Sequence, residues 1–170
     1  STLVTLGLHY EQQHQELMLT DLLHLLGVEA DVVAREPETP MDGLNHAIAV
    51  LDVMSAEKED DLGIFLGRQG ERLAALQYVL NLIVNRAIEG RHAFTVDVSG
   101  YKRAREKTIN ALAQELAAEV KETGETASLD PMPAAERRIV HLALTDDPDV
   151  ETESAGEGTA RRVQIVYRGD

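Results

Sequence analysis

Three groups of residues could do chemistry, and each would do a different kind. Gly67-Arg68-Gln69-Gly70 sets two glycines around an arginine, with Arg72 just beyond. Glycines let backbone approach a ligand closely, and a helix after such a turn offers free N–H groups and a positive dipole end to phosphate. Arg137 and His141 stand four apart, so on a helix they share one face. With Arg138 beside them they could hold a phosphate and stack on or hydrogen-bond a base. His9, His14 and Glu16 form a third group, of metal-ligand type. Each group has a plain alternative. Gly-x-x-Gly is often only a tight turn. Arg137 could pair with Glu136 or a hairpin carboxylate, leaving His141 a half-buried polar residue. On a helix His9 and His14 are turned apart by about 140°. His24, His46 and His92 are isolated, and Asp146, Asp147 and Asp149 flank Pro148 as in a solvated turn. Tyr78, Phe94 and Tyr101 are expected to face the core. No Ser-His-Asp set, P-loop or dinucleotide fingerprint is visible.

The elements that must position these groups are limited by composition. The chain has 170 residues, 44% of them hydrophobic, enough for a packed core and too many for wholesale disorder. Aromatic residues are 4%, with no Trp, which argues against an aromatic cage. The absence of cysteine excludes disulfides, Cys-zinc sites and thiol catalysis and fits a reducing compartment. No stretch reads as a membrane span or secretory signal, since the most apolar run, residues 73–84, is short and broken by Gln77 and Asn81. The net charge is −14, and its distribution matters more than its sum. Residues 1–66 carry 13 acids and 2 bases, residues 67–141 carry 10 and 11, and residues 142–170 carry 7 and 3. A polyanion would meet the middle of the chain.

Periodicity predicts a helix over residues 3–26 and an acidic linker over 28–40, where Pro37 and Pro40 lie. It predicts a second helix from Asp42 to about Met54, with Leu44, Ala47, Ile48, Leu51 and Met54 at helical spacing. A short strand is expected over 62–66, a strong amphipathic helix over 71–88 and a strand over 94–98. Then follow a long helix over 101–123 stopped by Gly124, a short strand near 126–129, and a helix from Pro133 to about Leu144. Strands near 150–154 and 161–167 around Gly156 and Gly158 make a hairpin.

Residues 63–168 resemble the Jag-type bacterial proteins, which pair a K-homology (KH) domain with a small Arg-x-x-x-His domain. The resemblance runs through Gly63-Ile-Phe-Leu-Gly-Arg-Gln-Gly-Glu-Arg-Leu-Ala-Ala-Leu-Gln-Tyr78, residues 81–86 and 96–101. It is densest at Leu129-Asp-Pro-Met-Pro-Ala-Ala-Glu-Arg-Arg-Ile-Val-His-Leu-Ala-Leu144 and closes with Ser154-Ala-Gly-Glu-Gly158 and residues 161–166. Arg137 and His141 fill the Arg-x-x-x-His signature. The resemblance implies binding of single-stranded RNA in the bacterial cytoplasm. It also implies a link to envelope synthesis, elongation and division, and association with a small single-KH protein. Leu6-Gly-Leu-His-Tyr-Glu-Gln-Gln-His-Gln-Glu-Leu17 resembles the metal-binding helix of the DinB-like domain in ergothioneine-type sulfoxide synthases, whose iron is held by three histidines. His14 matches the second ligand, but Tyr10 stands at the first, so the segment is read as a helix without a working iron site.

The expected fold is α+β. Residues 1–40 would be an acidic helical segment and linker, 41–98 a KH-like module, and 99–170 a connecting helix with the Arg-x-x-x-His module. Residues 55–66 leave room for one short strand or a cramped pair before Gly67, so the KH sheet is expected to be incomplete. The expected function is non-catalytic binding of single-stranded RNA, with no cofactor, no metal and no membrane insertion. Arg137, His141 and Arg138 are the first candidates for contact. Gly67, Arg68, Gln69, Gly70 and Arg72 come next, and Arg161 and Arg162 extend the basic surface. A homodimer or a small KH-domain partner would add avidity. The rival readings are a protein-interaction adaptor without RNA binding, and a mononuclear iron protein built on the first helix.

Overall fold

The computed structural model describes residues 2–43, 46–55, 62–87 and 93–169, with side chains in the first helix described from Gln13 onward. They form two compact units, Ser1–Lys102 and Arg103–Asp170. The first holds α1 (Thr2–Leu25), β1 (Ala30–Arg35), β2 (Ala49–Ser55), α2 (Gly63–Leu66), α3 (Glu71–Ala87) and β3 (Phe94–Val98). Helix α4 (Tyr101–Thr123) begins at its end. The second holds the rest of α4, then β4 (Ala127–Ser128), α5 (Ala134–Ala143), β5 (Val150–Ala155) and β6 (Arg162–Tyr167). The α+β class is as expected. No helix among the described residues is long and apolar enough to cross a membrane.

In the first unit the sheet order is β1-β2-β3, with β2 antiparallel to β1 and parallel to β3. Helix α3 turns Leu73, Leu76, Leu80 and Val84 to the sheet at intervals of three and four. They meet Leu51 and Val53 of β2 and Phe94, Val96 and Val98 of β3, and α1 adds Leu19 and Leu23.

Three expectations about this unit were wrong, for related reasons. Residues 28–40 are not a linker. Val32 and Ala34 of β1 pack against the core while Asp31 and Val33 point outward, so the acidity belongs to one face of a strand. Residues 49–55 are not helical. Val50, Leu51 and Val53 are fully buried, and a strand covered on both faces shows no alternation to tell it from a buried helix. Leu44, part of that expected helix, lies outside the described residues, as does most of the polar stretch 55–61. Residues 62–66, expected as a strand, are a helical turn. The sheet therefore has three strands where the spacing left room for one, because two come from the segments misread as linker and helix. The strand at Phe94–Val98, the helices α1, α3, α4 and α5, the short β4 and the β5–β6 hairpin are as the periodicity predicts.

Both edges of this sheet are occupied by side chains. On β3 the Asn81 carboxamide accepts from the Phe94 N–H at 2.7 Å and donates to the Phe94 carbonyl at 2.8 Å. Gln77 accepts from the Val96 N–H at 3.2 Å. The two polar residues that interrupt the apolar run of α3 thus act as a surrogate strand. On β1 the Glu16 carboxylate accepts from the Ala34 N–H at 2.6 Å.

The polar face of the sheet holds a buried charge cluster. Arg35 donates to both oxygens of Asp42, at 2.7 and 3.0 Å, and to Asp52 at 2.8 Å. Burial pushes the Asp42 pKa up, but the Arg35 hydrogen bonds and the backbone N–H groups of Glu38 and Thr39 outweigh it and hold it below the usual carboxylate value. Asp97 accepts from the Lys102 N–H at 3.0 Å, fixing the first turn of α4. Burial raises the Asp97 pKa, and burial lowers that of Lys102 to about 8.

In the second unit the sheet order is β4-β6-β5, all antiparallel. Ile109, Ala113, Ala117 and Val120 line one face of α4, and Ile139 and Val140 of α5 join Val150, Val163 and Ile165 in a buried set. Glu136 is nearly fully buried and is held bidentately by Arg105, at 2.8 and 3.0 Å.

Candidate nucleic-acid interface

Helix α5 starts after Pro133, whose fixed φ suits a helix entrance. Its buried stripe is Glu136, Ile139 and Val140, which leaves Arg137 and His141 half-buried on an adjoining face and Arg138 exposed. Arg137 does not pair with Glu136, which Arg105 has taken. Its guanidinium donates instead to the Met132 carbonyl at 3.0 Å. Met132 is in turn fixed by its N–H to the Arg161 carbonyl at 3.1 Å. Arg161 is therefore linked to the Arg137 anchor through backbone, and its side chain is exposed.

His141 lies over the edge strand β5. Its Nδ1 is 2.7 Å from the Thr152 hydroxyl and its Nε2 is 3.1 Å from the Ser154 hydroxyl. Thr152 and Ser154 are two apart on one strand, so they point to the same face. Burial and the neighbouring Arg137 cation both push the His141 pKa down, so the ring is neutral at neutral pH. Thr152 pairs with Ile165 and Ser154 with Val163, whose buried side chains mark the helix-covered side of the sheet. Arg162 alternates with Val163 and so lies on the opposite side from His141. The geometry joins Arg137, His141 and the backbone of Arg161, and separates Arg162. Sequence reasoning missed Thr152, Ser154 and the Met132 carbonyl. The hydroxyl residues at alternate positions of a predicted strand were the available signal.

In the first unit Gly67-Arg68-Gln69-Gly70 joins α2 to α3, a helix-to-helix turn in place of the expected strand-to-helix one. Gly67 has φ 64° and ψ −168°, a region essentially closed to other residues. A Cβ there would stand 2.7 Å from Cγ of Arg72 and 3.1 Å from its backbone nitrogen. Gln69 is itself left-handed, at φ 53°, and Gly70 has φ 79°. A Cβ on Gly70 would be 3.1 Å from the Tyr101 ring. Arg68 and Gln69 are exposed at the tip. The Arg72 guanidinium folds back to donate to the Ile64 carbonyl at 3.1 Å, so it steadies the turn from behind. Of the aromatic residues expected to face the core, Phe94 does and Tyr101 is half-buried. Tyr78 does not: it is 69% exposed and heads an apolar stripe on α3 with Val79, Leu82 and Ile83.

The third group does not assemble. His14 is exposed, Glu16 is engaged with β1, and the side chains of His9 and Tyr10 lie outside the described residues, as does His92. Among the described residues no three His, Cys, Asp or Glu side chains are grouped to hold a metal ion.

Residues 107–167 match the family model of the Arg-x-x-x-His domain, which spans most of α4, then β4, α5 and the hairpin. The chain is similar to the RNA-binding protein KhpB of Clostridium symbiosum, with 37% identity over 139 residues, 77% of this chain and 63% of that protein. It is 34% identical over 107 residues to the RNA-binding protein KhpB of Bacillus subtilis, covering 62% of this chain and 51% of that one. The RNA-binding protein KhpB of Lactiplantibacillus plantarum is 33% identical over 106 residues, 62% of this chain and 33% of that one. The chain thus spans between half and two thirds of the length of the first two relatives.

Proposed function

We propose that this chain binds single-stranded RNA without catalysis, through Arg137 and His141 and through the Gly67–Gly70 turn. The observation that carries the reading is the paired placement of Arg137 and His141, each fixed by a partner other than a carboxylate, inside the segment that matches the Arg-x-x-x-His domain. The relatives bear the name RNA-binding protein, which supports the same reading. In the first unit, the order helix, two strands, two helices, strand, with Gly-x-x-Gly between the helices, supports a KH-type clamp on a nucleotide backbone. On this reading the KH-like module takes in residues 1–40 as well as 41–98. Arg68, Arg138 and Arg161 supply charge, with Arg162 on a separate face and Arg72 as a support. A cytoplasmic setting and a role in envelope synthesis, elongation and division belong to the same proposal.

The test is anisotropy with a random single-stranded RNA pool over a salt series. Wild type should bind with a clear salt slope, and Arg137→Ala/His141→Ala should lose tenfold or more, roughly 1.4 kcal/mol. Arg68→Ala should lower the slope by about 0.7 if it meets one phosphate. Wild type that fails to bind at low salt removes the reading.

The α3 stripe supports a second, compatible role. Tyr78, Val79, Leu82 and Ile83 are apolar and outward-facing on one helix. Such a face suits a partner helix, and we assign it to a small KH-domain protein, with a second copy of this chain as the competing outcome. Light scattering with and without that protein, on wild type and Leu82→Lys, distinguishes the two.

A further inference from the structure

A histidine that binds nucleic acid can do so through its nitrogens, as a partner for phosphate or a base edge, or through its ring face. The two modes need different surroundings. In this chain Nδ1 of His141 meets the Thr152 hydroxyl at 2.7 Å and Nε2 meets the Ser154 hydroxyl at 3.1 Å. A neutral imidazole has one donor and one acceptor nitrogen, and a hydroxyl can serve either. Both ends of the ring are therefore satisfied before a ligand arrives. The ring is nevertheless only half-buried, so what it leaves to a ligand is its face and carbon edge.

We propose that His141 is a stacking platform for an unpaired nucleobase, and that Thr152 and Ser154 are positioning residues that hold its plane. The proposal rests on the RNA-binding reading above and specifies the part of the nucleotide that this residue takes. Three further observations fit it. The two hydroxyls sit on one regular strand, so they fix the ring at two points and leave it one orientation. Both ring nitrogens are bonded to hydroxyls and not to carboxylates, and the neighbouring Arg137 cation opposes protonation, so the ring stays a neutral aromatic. Arg137 itself is tied to the Met132 carbonyl through one nitrogen, and a guanidinium has other donors to offer a phosphate beside the stacked base. The division of labour is base to His141 and phosphate to Arg137.

The experiment compares single-stranded RNA with an abasic strand of the same length, by anisotropy, on the full chain. The proteins are wild type, His141→Phe, His141→Gln, Thr152→Val and Thr152→Ser. Wild type should prefer the base-bearing strand by roughly tenfold, the scale of one stacked base. His141→Phe should keep most of that preference, and His141→Gln, which keeps hydrogen bonding without a ring, should lose it. Thr152→Val should weaken the preference, and Thr152→Ser should restore it. If His141→Phe perturbs the fold, wild type alone decides. The His141 ring protons should move upfield on adding RNA and stay put on adding the abasic strand. Retention by Gln with loss by Phe, or a ring shift equal for both strands, overturns stacking while leaving RNA binding intact. Absence of any RNA binding by wild type overturns both readings together.

Discussion

At Gly67–Gly70 the chain offers backbone, and at Arg137 and His141 it offers side chains. The first site is made by conformation. Gly67 occupies a region closed to other residues, Gln69 is strained, and Arg72 and Tyr101 pack behind the turn. The second is made by anchoring, with side chains held in place by Met132, Thr152 and Ser154. A conformational site reads phosphate and ribose through N–H groups and is indifferent to the base. An anchored site can present a plane, and a plane can meet a base. The units also differ in how they treat buried charge. The second isolates one carboxylate, Glu136, with one arginine, whereas the first gathers Arg35, Asp42, Asp52 and Asp97 on one sheet face.

The largest effect should come from that last difference. Arg35→Met would strand Asp42, which is fully buried, and should cost about 3 kcal/mol in urea unfolding of the first unit. Hydrogen exchange should show the loss at β1 and β2 while α5 and β5 keep their protection. Equal loss in both units would break the comparison.

Next in size is Gly67→Ala. The backbone it needs and the 2.7 Å approach to Arg72 should cost about 2 kcal/mol. RNA affinity should fall with it. Asn at the same position, tolerated at left-handed φ but not at ψ −168°, should be no better. Full rescue by Asn would mean that the turn relaxes and that its geometry is not what binds.

The smallest effect is in pH, where the units should titrate in separate windows. Lys102 has its pKa lowered to about 8 from 10.5. The unfolded chain then binds more protons across that interval, so stability of the first unit climbs as pH rises through it. Lys102→Met should abolish the climb. The His141 pKa is lowered from 6.5, so by the same sign the second unit loses stability as pH falls below that value. Thermal melts across both ranges check the two windows.

The sequence made the second unit legible and half concealed the first. Arg137 and His141 lie on a regular amphipathic helix, so four-residue spacing was enough to pair them. The partners of His141 stayed hidden, because nothing local ties residue 141 to residues 152 and 154. In the first unit Phe94–Val98 stood out between a helix and a Ser-Gly turn. β2 did not, because full burial on both faces removes the alternation that identifies a strand. β1 was hidden by its own charges. Asp31 and Arg35 look like linker residues until Asp42 and Asp52 are seen to close around the arginine.

The carboxamides of Gln77 and Asn81 have a consequence for how this molecule can meet others. Phe94 and Val96 carry the N–H and carbonyl groups that an incoming strand would need, and α3 has already claimed three of them. Glu16 does the same at Ala34 on the far side. The sheet has no hydrogen-bonding valence left at these points, so growth by strand addition is discouraged at both ends. A second chain is directed away from the sheet margins and toward the helices, where recognition depends on side-chain shape and can discriminate between partners.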